Sequence, residues 1–190
     1  MNQVDFTSTS SVSFGELGPT TSLQLMFAKL QLELAETAKT QAMDKMDAIS
    51  QAQDEQKLVS GLLNEARQAQ ADAKAGVGND QEKTQTYELP KKDANGNVMH
   101  DAQGNVVYET VTETVPKGNN ATFMSQEMVD YMDANGLAYD KTANNHSHSA
   151  DEWDVAITSL ESRLEELGTN TQQEMVYIQD YMGQYNSYLQ

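Results

Sequence analysis

The residues of this sequence that could bind a metal ion are concentrated in two polar stretches, the first of which is a short internal repeat. Asp93-Ala-Asn-Gly-Asn-Val98 is followed at once by Met-His and then by Asp101-Ala-Gln-Gly-Asn-Val106. Their Asp and Asn side chains offer the oxygen ligands that calcium prefers, but an EF-hand loop also requires a bidentate Glu at its twelfth position and flanking helices. The twelfth position counted from Asp93 is Gly104. The repeat therefore favours a solvent-exposed β-hairpin over a calcium site.

The second stretch contains His146 and His148, separated by one serine in an Asn/Ser-rich segment. Imidazole is a common metal ligand, but no further ligand is close in the sequence, so we expect exposed loop histidines. The paired acids Glu165 and Glu166 fall on the surface of a predicted helix, where solvation explains them. The sequence has no cysteine, no Gly-rich phosphate loop before a helix and no nucleophile elbow. It predicts a protein that is not an enzyme and holds no cofactor or metal.

Two long helical patterns enclose these stretches, and the C-terminal one is the more regular. From Trp153, seam positions recur in strides of four and three over about five heptads, an a/d seam that requires a partner helix. Thr171 and Glu174 are its polar positions. Ser149 and Glu152 predict a capping box, in which each side chain satisfies a backbone N–H at the helix start.

The N-terminal helical pattern begins at about residue 22 and ends near the Gly-rich stretch at 76–80. Its first turns, from Leu23 to Leu34, are apolar on nearly all sides and must be covered on more than one side. Farther on, the apolar stripe narrows to small residues such as Ala42, and Gln56 is a polar group that could fix the register of a partner helix.

The segment between the helical patterns has Thr/Val/Tyr-rich stretches and turn signals at Asn95-Gly96 and Gln103-Gly104. It is followed by a short amphipathic stretch that ends at Asn135-Gly136, where a residue in the left-handed backbone conformation is expected to end the helix. The predicted regions are a disordered export region (1–21), a long helix (22–76), an irregular insert (77–148) with a β-hairpin at about 85–115 and a short helix at 125–133, and a coiled-coil helix (149–190). The predicted fold class is mainly α, with two long helices forming an antiparallel coiled-coil hairpin around this small insert.

The charge balance of the chain excludes several classes of partner. Its formal net charge is −17 over 190 residues, which argues against binding to nucleic acid or to anionic membrane surfaces. No apolar run reaches the roughly 18 residues of a membrane-spanning helix, and the N-terminus lacks the basic and apolar regions of a cleaved signal peptide. We expect a protein that is not an integral membrane protein and is either cytosolic or exported by a signal-peptide-independent route.

Three stretches together resemble the EspA-like filament and translocator proteins that extend type III secretion needles. They are the early apolar helix with Leu25-Met-Phe-Ala28, the segment from Gln126 to Gly136, and the C-terminal amphipathic helix with Gln172-Gln-Glu-Met175 and a Tyr/Asn/Ser-rich end. The resemblance covers about two thirds of the chain and contains no catalytic motif. The hairpin at about 85–115 departs from the family pattern, and needle-tip proteins are the nearest rival.

The resemblance implies a secreted structural subunit of a type III secretion apparatus that self-assembles into an extracellular filament and conducts or positions translocated proteins. The expected partners are further copies of the chain, the secretion needle, a cytosolic type III chaperone before export, and pore-forming translocator proteins; the expected location is outside the cell or at the bacterial surface. The alternatives are a needle-tip protein and a coiled-coil surface-binding or adhesin module. The residues predicted to pair the helices and mediate self-assembly are Leu23, Met26, Phe27, Leu30, Leu34, Ile49, Trp153, Ile157, Leu160, Leu164, Leu167, Ile178, Tyr181, Tyr185 and Leu189.

Overall fold

The computed structural model of the chain describes Leu25, residues 36–142 and residues 146–188. In chain order, these residues form α1 (Glu36–Ala75), β1 (Lys83–Pro90), β2 (Tyr108–Val115), β3 (Thr122–Phe123), α2 (Gln126–Ala134), β4 (Ser147–His148) and α3 (Trp153–Tyr188). β1 pairs with β2 and β3 pairs with β4, both antiparallel. The chain divides into two compact units, unit 1 (Met1–Glu55 and Leu167–Gln190) and unit 2 (Gln56–Glu166).

The predicted fold class, an antiparallel coiled-coil hairpin of two long helices with a small insert, is wrong. The described residues contain a third helix and two two-stranded sheets, and the segment between α1 and α3 supplies a large part of the core of unit 2. Its buried hydrophobic residues are Tyr87, Val115, Met124, Met128, Val129, Met132 and Tyr139. They are scattered among polar residues in the sequence, so the segment reads as polar although it buries several of the largest side chains of the unit.

Three elements of unit 2 meet at one threonine. Trp153 Nε1 at the start of α3 donates a hydrogen bond to Thr122 Oγ1 at 2.8 Å. Thr122 in β3 in turn donates to the carbonyl oxygen of Ala69 in α1 at 2.7 Å. Trp153 is completely buried, so its indole N–H would be costly to leave without an acceptor.

A side-chain amide covers one edge of the longer sheet. Gln126, the first residue of α2, accepts a hydrogen bond from the backbone N–H of Glu88 at 2.8 Å and donates to the carbonyl oxygen of the same residue at 3.0 Å. The amide therefore satisfies both backbone groups of one residue of β1, as a neighbouring strand would.

The internal repeat forms the connection between β1 and β2, and its three corners are joined by a closed ring of backbone hydrogen bonds. Lys91 N donates to Val107 O at 2.8 Å, Val107 N to Met99 O at 2.9 Å, and Met99 N to Lys91 O at 2.8 Å. The three residues are spaced eight apart, the period of the repeat. Because most of this region is exposed, backbone bonding rather than apolar burial fixes its geometry.

Each repeat turns around its aspartate. Asp93 Oδ1 accepts from the backbone N–H groups of Asn95 and Asn97 at 2.8 and 2.9 Å, and Asp101 Oδ1 accepts equivalent bonds from the second repeat. The backbone N–H of Asn97 is the main cause that lowers the pKa of Asp93, and the N–H of Asn105 acts in the same way on Asp101. These carboxylates therefore serve the turns.

Two local predictions are confirmed at the helix ends. The backbone N–H of Ser149 donates to Glu152 Oε2, and the N–H of Glu152 donates to Ser149 Oγ, both at 3.3 Å, which is the predicted capping box. Gly136 has φ of 64°, the left-handed conformation predicted for the stop after α2.

Replacing Tyr87 by Phe tests the core of unit 2. Tyr87 is fully buried, and its hydroxyl donates to the carbonyl oxygen of Met124 at 2.6 Å. Removing the hydroxyl leaves this buried acceptor unpaired, so Tyr87→Phe should lower the free energy of unfolding by about 1–2 kcal/mol in urea titrations. Tyr108→Phe, at a position of β2 that is 58% exposed, is the matched control and should have little effect. Equal losses would contradict the assignment.

Two glycine substitutions should shift stability in opposite directions. Gly61 lies inside α1, and an added Cβ meets nothing within 4 Å, so Gly61→Ala should raise the free energy of unfolding by about 1 kcal/mol. Gly76 has φ of +69°, and an added Cβ would lie 2.8 Å from Asn79 Nδ2. Gly76→Ala should therefore lower the same quantity by about 1 kcal/mol. Thermal and urea unfolding followed by circular dichroism measure both changes. A stabilising Gly76→Ala would show that an alanine is not strained at this position.

Candidate assembly surface

The core of unit 1 is thin in the described residues. Ala42, Met46 and Ile49 of α1 form a buried cluster with Ile178 of α3. Met175, Tyr181 and Met182 pack against this cluster but are only partly buried. Much of the apolar area of this part of α3 therefore remains in contact with solvent.

A polar contact between α1 and α3 lies beside this cluster. Lys45 Nζ lies 2.9 Å from Glu174 Oε2 and 5.1 Å from the ring centroid of Tyr177. The hydrogen bond to Glu174 is the main cause that raises the pKa of Lys45. Both charged side chains are substantially exposed, so this pair orients α1 and α3 locally more than it stabilises the fold.

An exposed apolar surface lies on α3 next to the cluster. The side chains of Val176 and Tyr177 are 55% and 56% exposed. Tyr177 and Tyr181 also line an open groove of about 520 Å³, whose other wall includes Ala42 and Ala48 of α1. The groove is also lined by Gln41, Asp44 and Lys45 of α1, so its apolar side is mainly on α3. We call Val176, Tyr177 and this groove the assembly surface, because exposed large apolar residues beside a groove are a candidate interaction site.

The predicted self-assembly residues differ in where the structure places them. Those that are buried in the units are Ile49, Trp153, Ile157, Leu160, Leu167 and Ile178, while Leu164 and Tyr181 are partly buried. Tyr185 lies in α3. Leu23, Met26, Phe27, Leu30, Leu34 and Leu189 lie outside the described residues, and their role stays a prediction.

Sequence reasoning missed Val176 and Tyr177 because they lie off the a/d seam. Seam residues such as Ile178 point into the unit and are used up by packing within it. Exposed apolar residues beside a seam carry no periodic signal of their own. The only sign of these residues in the sequence is the run of four consecutive apolar residues at 175–178, because an a/d seam requires only two apolar positions in every seven.

The expectation that His146 and His148 are exposed loop histidines is wrong. His148 is completely buried in β4, and the side chain of His146 is 13% exposed. His146 Nδ1 lies 2.7 Å from Glu113 Oε1, and its backbone N–H donates to the other oxygen of that carboxylate at 2.8 Å. The short β3–β4 pairing places this segment in the core of unit 2, and two paired residues are too few to give a recognisable strand pattern.

Within the described part of the chain, no three His, Cys, Asp or Glu side chains come together in a group that could hold a metal ion. Glu113, the partner of His146, contacts it directly. His146 is thus paired with a carboxylate, whereas neither ring nitrogen of His148 has a hydrogen-bond partner among the described residues.

None of the described helices combines the length and the apolar character needed to cross a membrane. Comparisons with protein-family models, with curated proteins and with solved structures found no match for this chain. The function must therefore be inferred from the surfaces and buried groups of the molecule itself.

Thr171 offers a test of the packing of α3 within unit 1. It is 6% exposed, and its hydroxyl has no hydrogen-bond partner among the residues that the structure describes. Thr171→Val keeps the shape and removes the unsatisfied oxygen, so it should raise the free energy of unfolding by about 1 kcal/mol in urea. Thr158→Val, at an exposed position of the same helix, is the matched control and should be nearly neutral. A destabilising Thr171→Val would mean that the hydroxyl is bonded in solution.

Proposed function

We propose that this chain is a non-catalytic structural subunit that is exported by a type III secretion apparatus and self-assembles into an extracellular filament. Its partners in this role are further copies of the chain, the secretion needle, a cytosolic chaperone before export and pore-forming translocator proteins. The observation that carries the proposal is the assembly surface, in which Val176 and Tyr177 remain more than half exposed beside an open groove. The resemblance of three sequence stretches to filament and translocator subunits supplies the secretion context.

The chain itself offers a complementary surface for the groove. The segment from Leu23 to Leu34 contains seven large apolar residues in twelve positions, more than one helix face can hold. Leu25, the described residue of this segment, is 49% exposed. If this segment of one copy packs on the assembly surface of the next, the contact is heterologous and can repeat without closing, which produces a helical filament.

Other features of the sequence suit export and controlled assembly. The chain has no cysteine and hence no disulfide that would have to be reduced before passage through a narrow channel. Its net charge of −17 makes copies repel one another at low ionic strength. Apolar contacts must overcome this repulsion, so assembly should strengthen as salt screens the charges.

A second candidate function is a binding module that uses the hairpin. Val98, Met99 and Tyr108 are 39%, 38% and 58% exposed at the end of the β1–β2 hairpin, where the backbone ring fixes their positions. This surface would serve a partner protein rather than self-association. A stable monomer with saturable, hairpin-dependent binding would select this function.

Substitution of exposed residues separates the two candidates. Because Ile178 belongs to the buried cluster, a truncation from that residue would damage packing, and point changes are cleaner. We expect the wild-type protein to grow in mass with concentration and salt in light scattering and to form filaments in negative-stain images. Val176→Ser with Tyr177→Ser should abolish this growth while leaving the circular dichroism spectrum unchanged.

The matched control changes the same residue types at positions of similar exposure elsewhere. Val155 of α3 is 41% exposed and Tyr108 of β2 is 58% exposed, so Val155→Ser with Tyr108→Ser removes comparable apolar area. This control should still assemble. Loss of assembly in the control alone would mean that the interface includes the control positions instead. A wild type that stays monomeric at every protein and salt concentration would refute self-assembly.

A further inference from the structure

His148 is the least compensated polar side chain in the described core. It is 0% exposed, and neither ring nitrogen has a hydrogen-bond partner among the described residues. Its ring packs edge-on against Trp153 with centroids 5.1 Å apart, and Tyr139 lies 6.0 Å away. A neutral imidazole leaves one N–H donor and one acceptor nitrogen unpaired there, whereas an imidazolium would leave two N–H donors and a buried positive charge, which costs more.

The groups that face His148 offer little to a positive charge. Glu152 of α3 is the nearest carboxylate, but its Oε2 lies 3.8 Å from Nδ1, which is too long for a hydrogen bond. That oxygen also accepts the backbone N–H of Ser149 in the capping box. Glu152 therefore offsets the cost of a charge on His148 only in part, and the same oxygen is shared with the capping box at the start of α3.

The remaining neighbours do not change this balance. Asp140 accepts hydrogen bonds from Thr142, which hold its pKa below the usual range. Burial raises the pKa of Tyr139 and of Tyr87, so both phenols stay neutral at ordinary pH. Just before β4, His146 is engaged with Glu113 of β2, and a charge on His146 would oppose one on His148.

Burial is accordingly the main cause that lowers the pKa of His148, and the carboxylates of Glu152 and Asp140 offset it only in part. We propose that His148 makes unit 2 acid-labile by acting as a proton-operated latch: its protonation separates β4 from β3 and withdraws Trp153 from the core. The proposal does not depend on the filament function. It applies to any acidic environment that the protein enters.

The sign of the pH dependence follows from proton linkage. The unfolded chain takes up a proton at His148 near its ordinary pKa of 6.5, while the folded chain resists protonation to lower pH. The stability is fully present above about pH 6.5 and is lost as the pH falls from there toward the lower pKa of the folded state. In that window, this one group should increase the equilibrium constant for unfolding about tenfold per pH unit.

The experiment compares the full chain with His148→Phe, which keeps an aromatic ring against Trp153 and removes the titration. Urea unfolding is followed at several pH values by the fluorescence of Trp153, the only tryptophan of the chain, at a concentration below the onset of any assembly. The equilibrium constant for unfolding of the wild type should rise on acidification. For each pH unit within the window it should rise by a factor about ten times larger than that of the variant. His100→Phe, at an exposed position of the hairpin, is the matched control and should keep the wild-type dependence.

An equal pH dependence of the wild type and His148→Phe would overturn the proposal. If the variant does not fold, an NMR titration of the wild-type histidine ring signals decides the question. A pKa of His148 clearly below that of the exposed His100 supports the latch, and one equal to it or higher overturns it.

Discussion

Thr122 carries the hydrogen-bond relay on which the arrangement of unit 2 depends. A hydroxyl has one proton, so it can accept from Trp153 and donate to the carbonyl of Ala69 at the same time only in the direction observed. The relay fixes the position of the first residue of α3 relative to α1 through a strand of only two residues. The capping box at Ser149 and Glu152 and the buried ring of His148 both lie beside this point. The position of the start of α3 and the burial of the histidine therefore depend on each other.

The features that could be predicted from the sequence are local ones. The capping box needs two residues three apart, and the stop after α2 needs a glycine in the left-handed region. The seam of α3 is also local, since a period of 3.5 residues can be read from one segment. Trp153, Leu160 and Leu167 accordingly lie on its buried side.

The core of unit 2 could not be predicted in the same way. The burial of Tyr87 depends on a hydrogen bond to Met124, 37 residues away, and that of His148 on a pairing between two strands of two residues. No periodic pattern reports contacts of this kind. The same limit applies to the assembly surface, because a seam shows that a helix face is covered but does not show which element covers it, nor which apolar residues beside it stay exposed.

The closed ring that joins Lys91, Met99 and Val107 has a consequence for how this region can change in evolution. Its contacts are made by backbone groups, so most side chains around it are free to vary. Its closure instead depends on the spacing of its corners, since Met99 and Val107 each follow the preceding corner by eight positions. Apart from the turn residues Asp93, Asp101, Gly96 and Gly104, the region is thus tolerant of substitution but intolerant of single-residue insertions or deletions. Its natural unit of growth is a whole octapeptide, as expected if the second copy arose by duplication of the first.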